Sequence, residues 1–117
     1  FNISGLAQAA GASFVARGTV YEALRLDKLI EQAIRKKGFS VVEVMTPCPT
    51  AYGRRNRLGN GVDMIRWLKE NSVSIQKAAN MNEDELEDKI VTGVLVDIEK
   101  PEYVEEYEKL IKQVKRQ

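Results

Sequence analysis

The stretch Phe39-Ser40-Val41-Val42-Glu43-Val44-Met45-Thr46-Pro47-Cys48-Pro49-Thr50 decides how this chain is read. Its first seven residues form a short apolar run, the pattern of a strand. The run leads directly into Thr-Pro-Cys-Pro-Thr. A strand of that kind delivers its last residues to a sheet edge, where open α/β folds place their ligands. Pro47 and Pro49 fix φ at two positions and remove two N–H donors, so the thiol of Cys48 sits on a stiff loop. Cys48 is the single cysteine of the chain. It reads as a metal or cluster ligand completed by residues elsewhere, as a reactive thiol, or as a small buried hydrophobe.

Upstream, Leu26 to Lys37 has helical periodicity. Leu26, Leu29, Ile30, Ala33 and Ile34 form one apolar stripe, with Lys28, Glu31, Gln32 and Arg35 facing away. Arg35, Lys36 and Lys37 suit the negative end of the helix dipole, and Gly38 suits its stop. Before it, Ala12 to Arg17 is a short apolar run between Gly11 and Gly18, predicted as a buried strand. A first short helix, capped by Asn2 or Ser4, is expected through Ala10 with Ile3, Leu6, Ala7 and Ala10 on one face. Strand, helix and strand with short connections make a right-handed βαβ unit of a parallel sheet. Two strands make a poor sheet alone, so the pattern reads as the end of a larger doubly wound one.

Downstream the character changes. Tyr52 to Asn60, rich in Gly and Arg, is expected to be a loop. A helix is predicted over Val62 to Glu70, with Ile65 and Leu68 inward and Trp67 partly covered. A further helical turn is expected within Ser72 to Asn80. Asn82 and Glu85 form a capping-box signature for a helix to about Asp88. Ile90 to Ile98 reads as a strand broken by Gly93. Pro101 is expected to open a last amphipathic helix carrying Tyr103, Val104, Tyr107, Leu110, Ile111 and Val114, packed along the domain or a neighbouring subunit.

Composition bounds the function. The 117 residues suffice for one core, and 44% are hydrophobic and 30% charged, as in an ordinary globular protein. The 18 Lys and Arg balance 17 Asp and Glu, which gives no general reason to expect nucleic acid or a membrane as partner. No apolar stretch approaches the roughly 20 residues of a membrane span. One cysteine excludes an internal disulfide and fits a reducing, cytoplasmic setting. The absence of histidine removes the commonest general base and the usual triads. The chain begins at Phe1, which reads as a piece of a longer polypeptide.

Two charged clusters carry readings of their own. Arg54, Arg55 and Arg57 put three guanidiniums in four residues. They suit a phosphate, a carboxylate or an acidic partner, or a solvated loop with local ion pairs. Folded back on Cys48, they would lower its pKa. Gly53, Gly59 and Gly61 do not match a phosphate loop. The acids Glu83, Asp84, Glu85, Glu87 and Asp88 lack the alternation of a calcium loop and suit a helix N-terminus.

The ordered series resembles a known family. Gly11-Ala-Ser-Phe-Val-Ala-Arg-Gly18, the helix ending Lys37-Gly38-Phe39-Ser40, the strand Val41 to Met45 and Thr46-Pro-Cys-Pro-Thr50 together are similar to the β subunit of 2-oxoacid:ferredoxin oxidoreductases. Tyr52-Gly-Arg-Arg-Asn-Arg57, Met64-Ile-Arg-Trp-Leu-Lys-Glu70, Gly93-Val-Leu-Val-Asp97 and Pro101-Glu-Tyr103 look most like the 2-oxoglutarate branch. The resemblance implies an α/β fold: residues 1–50 as the end of a thiamine-diphosphate-binding parallel sheet, and 51–117 as a C-terminal extension of helices and strand.

The resemblance further implies oxidative decarboxylation of a 2-oxo acid with coenzyme A. Thiamine diphosphate, Mg2+ and a [4Fe–4S] cluster would serve as cofactors, and an α subunit and ferredoxin as partners. Cys48 takes the position of the fourth cysteine on the cluster. The family's other three cysteines and its Gly-Asp-Gly motif have no counterpart here. The chain alone is therefore expected to be inactive, to bind none of these cofactors by itself, and to offer no assignable thiamine contact. Two other readings stand beside it: a noncatalytic assembly module, including a homo-oligomer, and a thiol-redox protein using Cys48.

Overall fold

The computed structural model describes residues 1–115, and the last two residues of the expected extension, 116 and 117, lie outside them. The βαβ unit is present. Strand β1 (Phe14–Thr19) runs through a 3-10 turn at Val20–Glu22 into helix α2 (Ala23–Arg35) and returns as β2 (Ser40–Met45), parallel to β1. The register sets Arg17 opposite Glu43 and Thr19 opposite Met45.

Two more strands join. β4 (Ile90–Asp97) pairs antiparallel with the free side of β1, with an irregularity between Val15 and Ala16. β3 (Ser72–Ser74) lies parallel to β4, giving the order β2-β1-β4-β3. The sheet is therefore mixed, with its parallel pairs at the two sides. The residues after Cys48 add two strands to the sheet that the first strands begin.

Alternation along β1 divides its side chains between two faces. Phe14 and Ala16 pack with Leu29 of α2, joined by Ala33, Val42 and Val94. The other face carries a polar link. Glu43 accepts from Arg17 Nε at 2.8 Å and from Ser4 Oγ at 2.5 Å. Ser4 belongs to helix α1 (Ile3–Ala9), which Asn2 caps by accepting from the N–H of Gly5. The expected apolar face of α1 is not what packs: Ser4 is buried, whereas Ile3 and Leu6 are exposed.

Helix α2 departs from its stripe in the same way. Leu29 is buried, but Ile30 and Ile34 are exposed. Lys36 and Lys37 lie beyond the helix, and Gly38 turns the chain at φ +100°. Lys36 Nζ instead pairs with Asp97 at 2.8 Å and Glu99 at 2.6 Å, tying the end of β4 to the end of α2. These hydrogen bonds, Asp97's first, raise the Lys36 pKa.

The second half holds helix α3 (Gly61–Asn71), β3, the single turns α4 (Ile75–Ala78) and α5 (Glu83–Leu86), β4 and helix α6 (Tyr103–Val114). The capping box of Asn82 and Glu85 is formed. In α3 the buried residues are Met64 and Leu68, with Ile65 half-buried. Strand β3 replaces part of the helical turn expected after Ser72; three residues are too few to show a period. Pro101 precedes α6 rather than opening it, and Glu102 is the N-cap.

Helix α6 buries none of its residues against the domain. The molecule measures 67 × 34 × 25 Å with a radius of gyration of 18.7 Å. A compact domain of this length has about 13–14 Å.

Candidate functional site

The parallel pairing of β1 and β2 brings their carboxyl ends together at Thr19 and Met45. Three residues beyond Met45 stands Cys48. The chain then closes a π-helical turn, Pro49–Gly53, in which the Gly53 N–H donates to the Cys48 carbonyl at 2.8 Å. This turn occupies the start of the stretch expected to be a loop. Gly53 is buried, and a Cβ there would lie 2.7 Å from Met64 Sδ. Glycine at 53 thus lets α3 seat against the turn.

After the turn, Arg57 adopts φ +55° and Gly59 φ +77°, reversing the chain into α3. Asn60 caps that helix, accepting from the N–H groups of Val62 and Asp63, while the Asp63 carboxylate accepts from the Asn60 N–H. The result is a cleft of about 700 Å³ between the end of β2, the π-turn and α3. Met45, Cys48, Tyr52, Leu58, Met64 and Trp67 line it, with Asp63, Arg66 and Glu70 as its charged members.

Cys48 is exposed at this cleft, which removes the reading as a buried hydrophobe. Its thiol is held below the ordinary cysteine range. The causes are the backbone N–H of Tyr52, then that of Ala51, with a smaller contribution from the Thr50 side chain; partial desolvation opposes them. The arginines are not among the causes, so they do not activate the thiol in the way the sequence suggested. Thiolate is the form that attacks electrophiles and ligates metals.

Arg54, Arg55 and Arg57 are all exposed and none lines the cleft. They form no ion pair among the described residues, so the local pairing expected of them is absent. The guanidinium at the cleft is Arg66, 3.6 Å from Asp63. Sequence reading missed the α3 wall of the cleft. Its signal was Met64, Trp67 and Leu68 at helical spacing, following a glycine that only close packing requires. Among the described residues, no group of three or more Cys, Asp or Glu side chains is placed to hold a metal ion. No helix among them is long and apolar enough to cross a membrane.

No protein-family model matches the chain. It is 51% identical over 110 residues to the 2-oxoglutarate synthase subunit KorB of Methanocaldococcus jannaschii, covering 94% of this chain and 41% of that protein. It is 42% identical over 105 residues to the KorB of Methanothermobacter thermautotrophicus, covering 90% and 37%. With subunit beta of the 2-oxoacid:ferredoxin oxidoreductase 2 of Aeropyrum pernix the identity is 47% over 65 residues, 56% of this chain and 18% of that one. A solved 2-oxoglutarate:ferredoxin oxidoreductase from Magnetococcus marinus, with 2-oxoglutarate, coenzyme A and succinyl-CoA bound, matches in fold. Its TM-score is 0.74 at 19% identity, over 97% of this chain and 39% of that one. The chain spans about two fifths of the length of the two 2-oxoglutarate synthase subunits it matches. Over nearly all of its residues, this chain is a sequence relative of the β subunits of 2-oxoacid:ferredoxin oxidoreductases.

Proposed function

We propose that this chain is the C-terminal part of the β subunit of a 2-oxoacid:ferredoxin oxidoreductase acting on 2-oxoglutarate, and that Cys48 is an iron–sulfur ligand in the assembled enzyme. The observation that carries the reading is the 51% identity to a 2-oxoglutarate synthase subunit over 94% of the chain. Residues 1–50 would be the end of the thiamine-diphosphate-binding sheet, and 51–117 an extension folded back onto it.

The residues present fit one corner of a cluster. Cys48 is exposed, its thiolate is favoured by the N–H groups of the π-turn, and it shares its cleft with Met45, Leu58, Met64 and Trp67. Thiolates are the ligands such clusters take, and a cluster supplies one-electron transfer. With no second cysteine in the chain, the remaining ligands come from elsewhere. Nothing here matches the family's thiamine motif, so thiamine diphosphate and Mg2+ belong to the rest of the subunit and no contact is assigned to them. This chain's own contribution is to hold the thiol at the sheet edge and to wall its cleft with Met64 and Trp67. Coenzyme A, ferredoxin and an α subunit are the partners of the whole enzyme, and the isolated chain is inactive.

Arg54, Arg55 and Arg57 are proposed to face another subunit or an anionic ligand, on the ground of their exposure and like charge. Charge reversal at all three that leaves assembly and kinetics normal would remove that assignment. The test of the main reading is Cys48→Ser in the complete subunit. Iron content and the visible thiolate-to-iron absorption should both fall. Unchanged iron and an unchanged spectrum would count against Cys48 as a ligand.

A further inference from the structure

We propose that α6 is a self-association element, through which two copies of this chain pair with their α6 helices antiparallel. Val104, Tyr107, Ile111 and Val114 are spaced three, four and three residues apart, the seam of a two-helix pair. Tyr103 and Leu110 flank that seam, and Tyr103 stacks on Tyr107 with ring centroids 5.9 Å apart. The four seam residues are 56%, 52%, 37% and 65% exposed. The one ion pair or side-chain hydrogen bond between this helix and the body, among the described residues, is that of Lys37 with Glu105. A helix of 12 residues is marginal in water unless its apolar face is covered.

Charge identifies what covers it. Glu102, Glu105, Glu106 and Glu108 make the first half of the segment purely acidic, and Lys109, Lys112 and Lys115 make the second half purely basic. Such a helix is complementary to its own reverse. Antiparallel pairing lays the acidic half of one copy along the basic half of the other, whereas parallel pairing sets like charge on like. The same arrangement places Val104 level with Val114 of the second copy, and Tyr107 level with Ile111 of the second copy. Lys112 and Lys115 form no ion pair within the chain among the described residues, which leaves them free for this contact. The contact is small, so the association is weak and concentration-dependent.

Sedimentation equilibrium of the full chain, carried on a Cys48→Ser background to prevent chance disulfides, reads the association. A monomer–dimer equilibrium is expected between micromolar and near-millimolar concentration, and Ile111→Glu should raise the dissociation constant at least about tenfold. Circular dichroism of the same variant should show the body still folded. A monomer throughout the range, or a dimer indifferent to Ile111→Glu, overturns the proposal. Orientation is read by mixing a Val104→Cys chain with a Val114→Cys chain in a thiol redox buffer. Disulfide between the two different chains is expected, and disulfides joining like chains would overturn the antiparallel arrangement.

Discussion

Glu43 carries a charge that the fold holds mostly out of water. It stands in an otherwise apolar strand, with its side chain 13% exposed, opposite Arg17 at 18%. Burial pushes its carboxyl pKa up, but the hydrogen bonds from Ser4 and Arg17 and the charge of Arg17 overcome that and hold it below the ordinary range. A depressed carboxyl stabilises the fold above its unfolded pKa, about 4.3, and the contribution is lost as pH falls through the folded value. Glu43→Gln keeps the shape and removes the charge. It should cost about 1.5–3 kcal/mol at neutral pH, the worth of hydrogen bonds to a charged group. Urea unfolding should also show a flatter dependence of stability on pH in the acid range than the parent. A variant with the parent's midpoint and the parent's acid profile would show that the pair contributes nothing. The run around Glu43 marked the strand but not this link, although a charged residue inside a strand calls for a partner. Its partner could not be read, because the register that sets Arg17 opposite Glu43 is a tertiary fact.

At the scale of elements, local signals named most of what forms. The capping box at Asn82 and Glu85, the Asn2 cap and the β1–α2–β2 unit all follow from side-chain chemistry within a few residues. Failures came where packing decides. The apolar stripes of α1 and α2 mark faces that this chain does not cover, so Ile3, Leu6 and Ile34 remain exposed. Strand β3 exists because β4 is beside it. At the π-turn after Cys48, buried Gly53 lies close under the Met64 side chain of α3. Two glycines separate these causes experimentally. Gly38 ends the α2 connection at φ +100°, and a Cβ there would lie 2.5 Å from Ser13 Oγ. Gly38→Ala should destabilise by about 1–2 kcal/mol, the cost of left-handed backbone for an L-residue. Gly61 opens α3 with ordinary φ, and its Cβ would meet only Pro49 Cγ at 3.5 Å. Gly61→Ala should stabilise by about 0.4–1 kcal/mol through the unfolded state. Thermal unfolding of the two variants that moved in the same direction would contradict this account.

Over the whole molecule, the radius of gyration of 18.7 Å and the long axis of 67 Å describe a small sheet with an arm, rather than a closed core. The most completely buried stretch of the chain is β1, where Phe14, Val15 and Ala16 are each at most 2% exposed, while Met64, Leu68, Val73 and Ala78 are buried in α3, β3 and α4. Strand β1 is paired on both sides, by β2 and β4, and covered on both faces by α2 and α1. Opening its amides requires breaking both pairings and both helix contacts. Helix α6 holds its amides by its own turns alone, and a helix of this length frays readily. Amide hydrogen exchange of the dilute chain should therefore rank β1 slowest, near the rate set by global unfolding, with α6 close to unprotected. Raising the chain concentration should slow α6 and leave β1 unchanged, because pairing covers α6 without touching the sheet. Protection of α6 equal to that of β1 in dilute solution would mean that the arm folds onto the body, and both the open shape and the need for an outside partner would fall with it.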